Sequence, residues 1–136
     1  MGQRFLIDTC VIVKYLDEEL SNEWLCYLDD IMDSRPVISF ITEIELLAWK
    51  SGTNTKIAHR MYILDGFKKV YINQDIIDQT IHIRREAGTP IPDSIIAATS
   101  LSNDLTLITT NNNDFDKIER LGVKYINPEK DNVPKL

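Results

Sequence analysis

The sequence predicts an α/β sandwich around a mainly parallel β-sheet. Three observations carry that expectation. Short apolar runs rich in β-branched residues alternate with amphipathic helical stretches along the chain, the order that lays helices against a parallel sheet. The 136 residues suit one domain, since domains cluster at roughly 100–150 residues. Hydrophobic residues at 43% and charged residues at 26% are globular proportions, which exclude intrinsic disorder for most of the chain.

Five strands are expected, each brief and bounded by polar residues as buried strands are: Arg4–Ile7, Val37–Phe40, Val70–Ile72, Leu105–Thr109 and Tyr125–Ile126. Ser21 can cap a helix carrying Trp24, Leu25, Leu28, Ile31 and Met32 on one stripe, stopped by Arg35-Pro36. Thr42 opens a second helix, running through Ile44, Leu47 and Ala48 to Gly52, and Ile57, Met61 and Leu64 mark a third that Gly66 closes. Asp75 caps a fourth, which Gly88 ends. A fifth starts at Pro92, a favoured first position, and is apolar most of the way round, so it should be the most buried. A short sixth spans about Asp114 to Leu121. Residues 1–127 form the domain, and 128–136, with two prolines and four charges, a loose tail.

Composition narrows the function. The net charge of −6 argues against non-specific coating of nucleic acid, whose affinity comes mostly from phosphate contacts by cations. No apolar run approaches the ~20 residues a bilayer span needs, and Arg4 and Asp8 interrupt any leader core. Cys10 and Cys26 lack disulfide-framework or CxxC spacing. A soluble cytoplasmic protein with free thiols is expected. The acid excess could serve solubility alone, or could gather carboxylates around a cation.

Position separates those options. In open α/β sheets ligands bind beyond the carboxyl ends of the strands. Asp8 follows the first strand, Glu43 and Glu45 open the helix after the second, and Asp114 and Asp116 follow the fourth. Asp93 begins the buried helix, which runs back antiparallel to the strands, so it reaches the same edge. Each acid has an ordinary alternative. Asp8 could cap the next helix, Glu45 could close a capping box with Thr42, and Asp93 could sit at the positive helix end. Asp114 could cap the last helix, with Asp116 a solvated acid of its first turn. Together, acids from four segments would repel unless a cation joined them. Oxygen-only donors suit Mg²⁺, with Mn²⁺ as an alternative. Glu43 and Glu45 lie about 200° apart on a helix, so only one can face the ion; periodicity leaves both open.

Four stretches resemble the PIN-domain ribonucleases, and more narrowly the toxin halves of VapBC toxin–antitoxin pairs: Leu6-Ile7-Asp8-Thr9-Cys10-Val11-Ile12, Ser39-Phe40-Ile41-Thr42-Glu43-Ile44-Glu45-Leu46-Leu47, Pro92-Asp93-Ser94-Ile95-Ile96-Ala97-Ala98-Thr99 and Ile108-Thr109-Thr110-Asn111-Asn112-Asn113-Asp114-Phe115. The likeness runs from residue 4 to about 127. It implies a PIN-like three-layer sandwich with a five-stranded parallel sheet ordered 3-2-1-4-5, and a Mg²⁺-dependent endoribonuclease. The family's acids fall on Asp8, Glu45, Asp93 and Asp114, which selects Glu45 over Glu43. Asp8 and Asp114 would be the nearest metal ligands, Asp93 and Glu45 would take outer positions or a second ion, and Asp116 would be an accessory acid. Thr9, Thr110 and Asn111 are candidate hydrogen-bond donors, or ordinary turn residues. Cys10 stands where the family commonly has Ser or Asn, and Asn111 where many members carry an acid. The resemblance also implies an RNA substrate, products bearing a 5′-phosphate and a 3′-hydroxyl, a cognate antitoxin and a homodimer.

Cations that could reach RNA are Lys50, Lys56, His59, Arg60, Lys68, Lys69, Arg84 and Arg85, and their alternative is a solvated face. His59 and His82 lie off the carboxyl edge, so neither is expected as ligand or base. Trp24, Tyr27, Tyr62 and Phe67 could build core or an interaction surface. A haloacid-dehalogenase-type phosphohydrolase would need an Asp where Cys10 stands, and is excluded. A phosphotransfer receiver would need an acceptor Asp at Ile72-Asn73-Gln74, where there is none. A PIN fold acting only as a binding module remains the non-enzymatic alternative.

Overall fold

The structure is a computed structural model that describes residues 4–50, 59–60 and 62–134. Its elements, in chain order, are β1 (Phe5–Ile7), α1 (Thr9–Leu16), α2 (Asn22–Asp33), β2 (Val37–Ser39), α3 (Phe40–Ala48), β3 (Lys68–Val70), α4 (Gln74–Ala87), α5 (Ile91–Ser102), β4 (Thr106–Ile108), α6 (Asn112–Phe115), a 3₁₀ turn (Glu119–Leu121) and β5 (Tyr125–Ile126). Residues 59–60 and 62–64 are helical. Ile57 and Met61 of the expected third helix, Lys56, and Gly52 of the second lie outside the described residues.

The five strands pair in parallel in the order β3-β2-β1-β4-β5, the order implied by the resemblance. Alternation along each strand divides the core into two faces. Phe5, Ile7, Ile38 and Ile108 point to one side, where Val11, Ile12, Trp24, Leu28 and Leu46 from α1, α2 and α3 cover them. Leu6, Val37 and Leu107 point to the other, against Ile76 and Ile83 of α4 and Ile96, Ala97 and Ala98 of α5. The result is a three-layer sandwich. Each fully buried Leu or Ile contributes about 1.5–3 kcal/mol, so both faces carry weight. As expected, α5 is deeply embedded: Ser94, Ile96, Ala97, Ala98, Thr99 and Ser100 are all buried.

Several boundaries differ from expectation, each for a local reason. The third strand is Lys68–Val70, not Val70–Ile72: Val37, Ile38 and Ser39 pair with Lys68, Lys69 and Val70. Tyr71 and Ile72 lie beyond it and are 63% and 50% exposed. An edge strand needs only one buried side, so its apolar residues mark its position poorly. The second helix begins at Phe40, because Ser39 accepts from Ile41 N–H at 3.1 Å and caps it. Thr42 is therefore inside the helix and buried, and no capping box with Glu45 exists. Asn73, not Asp75, caps α4, accepting from Ile76 N–H at 2.9 Å. Pro92 is the second residue of α5, behind Ile91. The expected sixth helix breaks into α6 and the 3₁₀ turn.

The segment from Pro128, expected to be loose, has tethers as far as it is described. The Trp24 indole donates to the Asp131 carbonyl at 2.9 Å, and Lys14 pairs with Glu129 at 2.7 Å. Val133 packs against the first core face. Asn127 organises this turn, accepting from Glu129 N–H and donating through its own N–H to the Asp131 carboxylate, both at 2.8 Å.

Candidate active site

Asp8 extends β1 by one rung, its N–H donating to the Ile108 carbonyl at 2.9 Å. It also caps α1, so the capping role proposed from sequence is real and coexists with the site. Its side chain is 5% exposed. One carboxylate oxygen accepts from the Thr9 N–H at 2.7 Å; the other accepts from the Thr109 hydroxyl at 2.8 Å and the Cys10 thiol at 3.5 Å. Burial raises the Asp8 pKa above its ordinary value, these three donors pull it back, and the charge of Glu45 pushes it up again.

From Asp8 the hydrogen bonds run outward in both directions. The Thr9 hydroxyl donates to Glu45 Oε1 at 2.8 Å, and the buried Thr42 hydroxyl lies 3.1 Å from the same Thr9 oxygen. On the β4 side, Thr109 Oγ1 accepts from the Asn111 N–H at 3.1 Å. Asn111 then closes a reciprocal pair with Asp114. Its side-chain amide donates to Asp114 Oδ2 at 2.9 Å, and its Oδ1 accepts from the Asp114 N–H at 3.4 Å. Glu45, Asp8 and Asp114, which are distant in sequence, thus share one hydrogen-bonded string at the carboxyl edge. Asn111 rather than Asp114 caps α6.

Asp93 joins from above, in the first turn of α5. Its pKa is pushed up to about 7, first by desolvation, then by a hydrogen bond with Asp114 and by the charges of Asp8, Asp114 and Glu45. Asp93 therefore feels each of the other three sequence-predicted acids. Among the described residues no three His, Cys, Asp or Glu are disposed as a ready-made metal site. Asp8, Glu45 and Asp114 each turn an oxygen toward a neighbouring threonine or asparagine. The donor set still fits a hard divalent cation, being carboxylate oxygen without imidazole.

Other candidates sort by contact. Glu43 pairs with Lys69 at 3.4 Å, which leaves Glu45 as the helix acid of the site. Asp116 accepts a hydrogen bond from the Tyr125 hydroxyl. Thr110 supports the Cys10 thiol, whose pKa is raised by burial and by Asp8. Arg60 is buried, stacks 4.3 Å over Trp49 and donates to the Trp49 carbonyl at 2.9 Å, so it holds the end of α3. Arg84 donates to the Gly88 and Thr89 carbonyls at 2.7 and 2.6 Å. His82 is exposed on α4, and His59 lines a separate cleft with Tyr15, Leu25, Met32 and Tyr62. Trp24 and Phe67 are core. Thr109 and Thr42 are contributors the sequence reading did not single out. Thr109 looked like the last strand residue, and only its place directly beside Asp8 across the β1–β4 pairing signals its role.

Comparison with known proteins follows the same lines. The chain is 25% identical to a chain of a toxin–antitoxin complex from Klebsiella pneumoniae, with a TM-score of 0.68 over 90% of this chain and 96% of that one. FitAcB from Neisseria gonorrhoeae aligns at 24% identity, a TM-score of 0.75, and 91% and 97% coverage. VapBC2 from Rickettsia felis, bound to a DNA fragment from its promoter, aligns at 18% identity, a TM-score of 0.77, and 92% and 98% coverage. The latter two show a shared fold. No curated protein sequence matches the chain. The PIN domain family model matches residues 5–121, a span holding all four acids and every strand but the last, and the chain belongs to the PIN domain family.

Proposed function

We propose that this chain is a Mg²⁺-dependent endoribonuclease and the toxin component of a VapBC-type pair. The observation that carries this reading is the string of hydrogen bonds uniting Glu45, Asp8 and Asp114 at the carboxyl edge, with Asp93 of α5 close enough to feel all three charges. Asp8 and Asp114 would hold the ion, and Glu45 and Asp93 would take outer positions. A bound Mg²⁺ would supply Lewis-acid polarisation of the phosphodiester, offset its charge and make a bound water more acidic than bulk water. Asp93, in the first turn of α5, would accept a proton from water as a carboxylate. Thr9, Thr109 and Asn111 keep the carboxylates oriented. Cys10, in the place of the family's usual Ser or Asn, still reaches Asp8 through its thiol.

An antitoxin partner and a homodimer belong to the same proposal, as does action in the cytoplasm. The antitoxin partner draws support from the likeness to the Klebsiella pneumoniae complex. Among the described residues no helix is long and apolar enough to cross a membrane.

The deciding experiment compares cleavage of total RNA by wild type and Asp8→Asn, each with Mg²⁺ and with EDTA. Wild type is expected to cut only with Mg²⁺, and Asp8→Asn to lose about a hundredfold or more of the rate. Equal cutting by both would remove the enzyme and leave a binding module.

A further inference from the structure

The amino edge of the sheet, opposite the carboxylates, carries a second chemistry. A cavity of about 530 Å³ opens there between the end of α2 and the first residues of β1, β2 and β3. Phe5, Ile31 and Pro36 help form its walls, and Arg4, Arg35 and Lys68 bring three cations to it. Among the described residues no acid lines it. Lys14, Lys69 and Lys124 form the ion pairs among the described residues; none of the three cavity cations has such a pair. In a chain of net charge −6, three exposed cations at one concavity make a local positive patch to which an anion is drawn.

The backbone adds an independent sign. Arg35 has φ +53°, a left-handed conformation that costs an ordinary residue roughly 1–2 kcal/mol. It also precedes Pro36, which favours an extended predecessor. The conformation ends α2, with Arg35 N–H donating to the Met32 carbonyl at 3.3 Å. Glycine would fill that position without strain. An arginine there instead adds a cationic residue to the cavity's lining. Guanidinium groups grip phosphate through paired donors, and an ammonium adds a compact point charge.

We propose that this cavity is a subsite for a phosphate group, held by Arg4, Arg35 and Lys68. The phosphate can come from a free polyphosphate compound or from an RNA strand; the chemistry of capture is the same. Binding here requires no catalysis, so it stands or falls separately from the nuclease reading.

The test is a heteronuclear NMR titration of the full chain with pyrophosphate, in EDTA so that no metal bridges ligand to the carboxylates. Saturable shifts are expected at the amides of Phe5, Val37 and Lys68. Arg35→Gly and Lys68→Gln should each weaken binding about tenfold. Arg35→Gly also relieves the backbone, so its melting temperature should not fall, which separates lost binding from lost folding. In an Asp8→Asn background, displacement of pyrophosphate by a 5′-phosphorylated oligoribonucleotide identifies RNA as the source; failure to displace it identifies a free phosphate compound. Absence of saturation, equal binding by the variants, or the same shifts from sodium chloride at matched ionic strength would overturn the subsite. So would a fall in melting temperature for Arg35→Gly without any pyrophosphate response, which would assign Arg35 to the carboxyl end of α2 alone.

Discussion

Asp93 couples chemistry to stability through a single proton. Its pKa is about 7 in the folded chain against an ordinary value of 3.8. The folded state therefore holds a proton that the unfolded state releases as pH rises above about 4, and the stability linked to that proton falls across the window to about 7. Asp93→Asn removes the charge. In EDTA at pH 8 the variant should melt at a higher temperature than wild type, and the difference should close as pH falls toward 4. Scanning calorimetry at stepped pH checks this, and a gap that does not change with pH would contradict the shared electrostatics. At pH 8 Mg²⁺ should then stabilise wild type more than the variant, because the ion offsets a carboxylate charge that Asn lacks. The acids themselves were legible in the sequence from their places after strands. Which of Glu43 and Glu45 faces Asp8 was not legible from periodicity, because it turns on Lys69, a residue of the neighbouring strand.

At the scale of elements, caps explain most of what sequence reading placed well. Ser21 caps α2, accepting from Trp24 N–H at 3.3 Å, and Gly88 ends α4 with φ +67°. A Cβ at Gly88 would meet nothing within 4 Å, so backbone strain alone sets the cost of a side chain there. Gly88→Ala should destabilise the chain by about 1–2 kcal/mol, read from the urea midpoint, with RNA cleavage kept because Gly88 touches none of the acids. A loss above that range would mean that the loop into α5 had moved. The misplaced starts share another cause. Ser39 and Thr42 are both competent caps, as are Asn73 and Asp75, and a local rule cannot rank two candidates a turn or less apart. Strand pairing ranks them: Ser39 is fixed opposite Val70, which leaves the helix to begin at Phe40.

For the whole molecule, the alternation of element types announced the three layers, and both core faces follow from alternation along β1, β2 and β4. The anchoring of the last segment was not visible, because one carbonyl meeting the Trp24 indole leaves no compositional trace. Deleting residues 128–136 would leave that buried N–H without its partner and strip Val133 from the core. A cost of about 1–3 kcal/mol is expected for the lost hydrogen bond, measured by urea denaturation; an unchanged midpoint would return the segment to a loose tail. The Trp24–Asp131 contact also bears on how the chain is made. On the ribosome, α1 and α2 emerge well before the residue that clasps them, which follows 107 positions after Trp24. A nascent polypeptide cannot close its first layer until β4, Asp114 and that distant carbonyl have all left the exit tunnel.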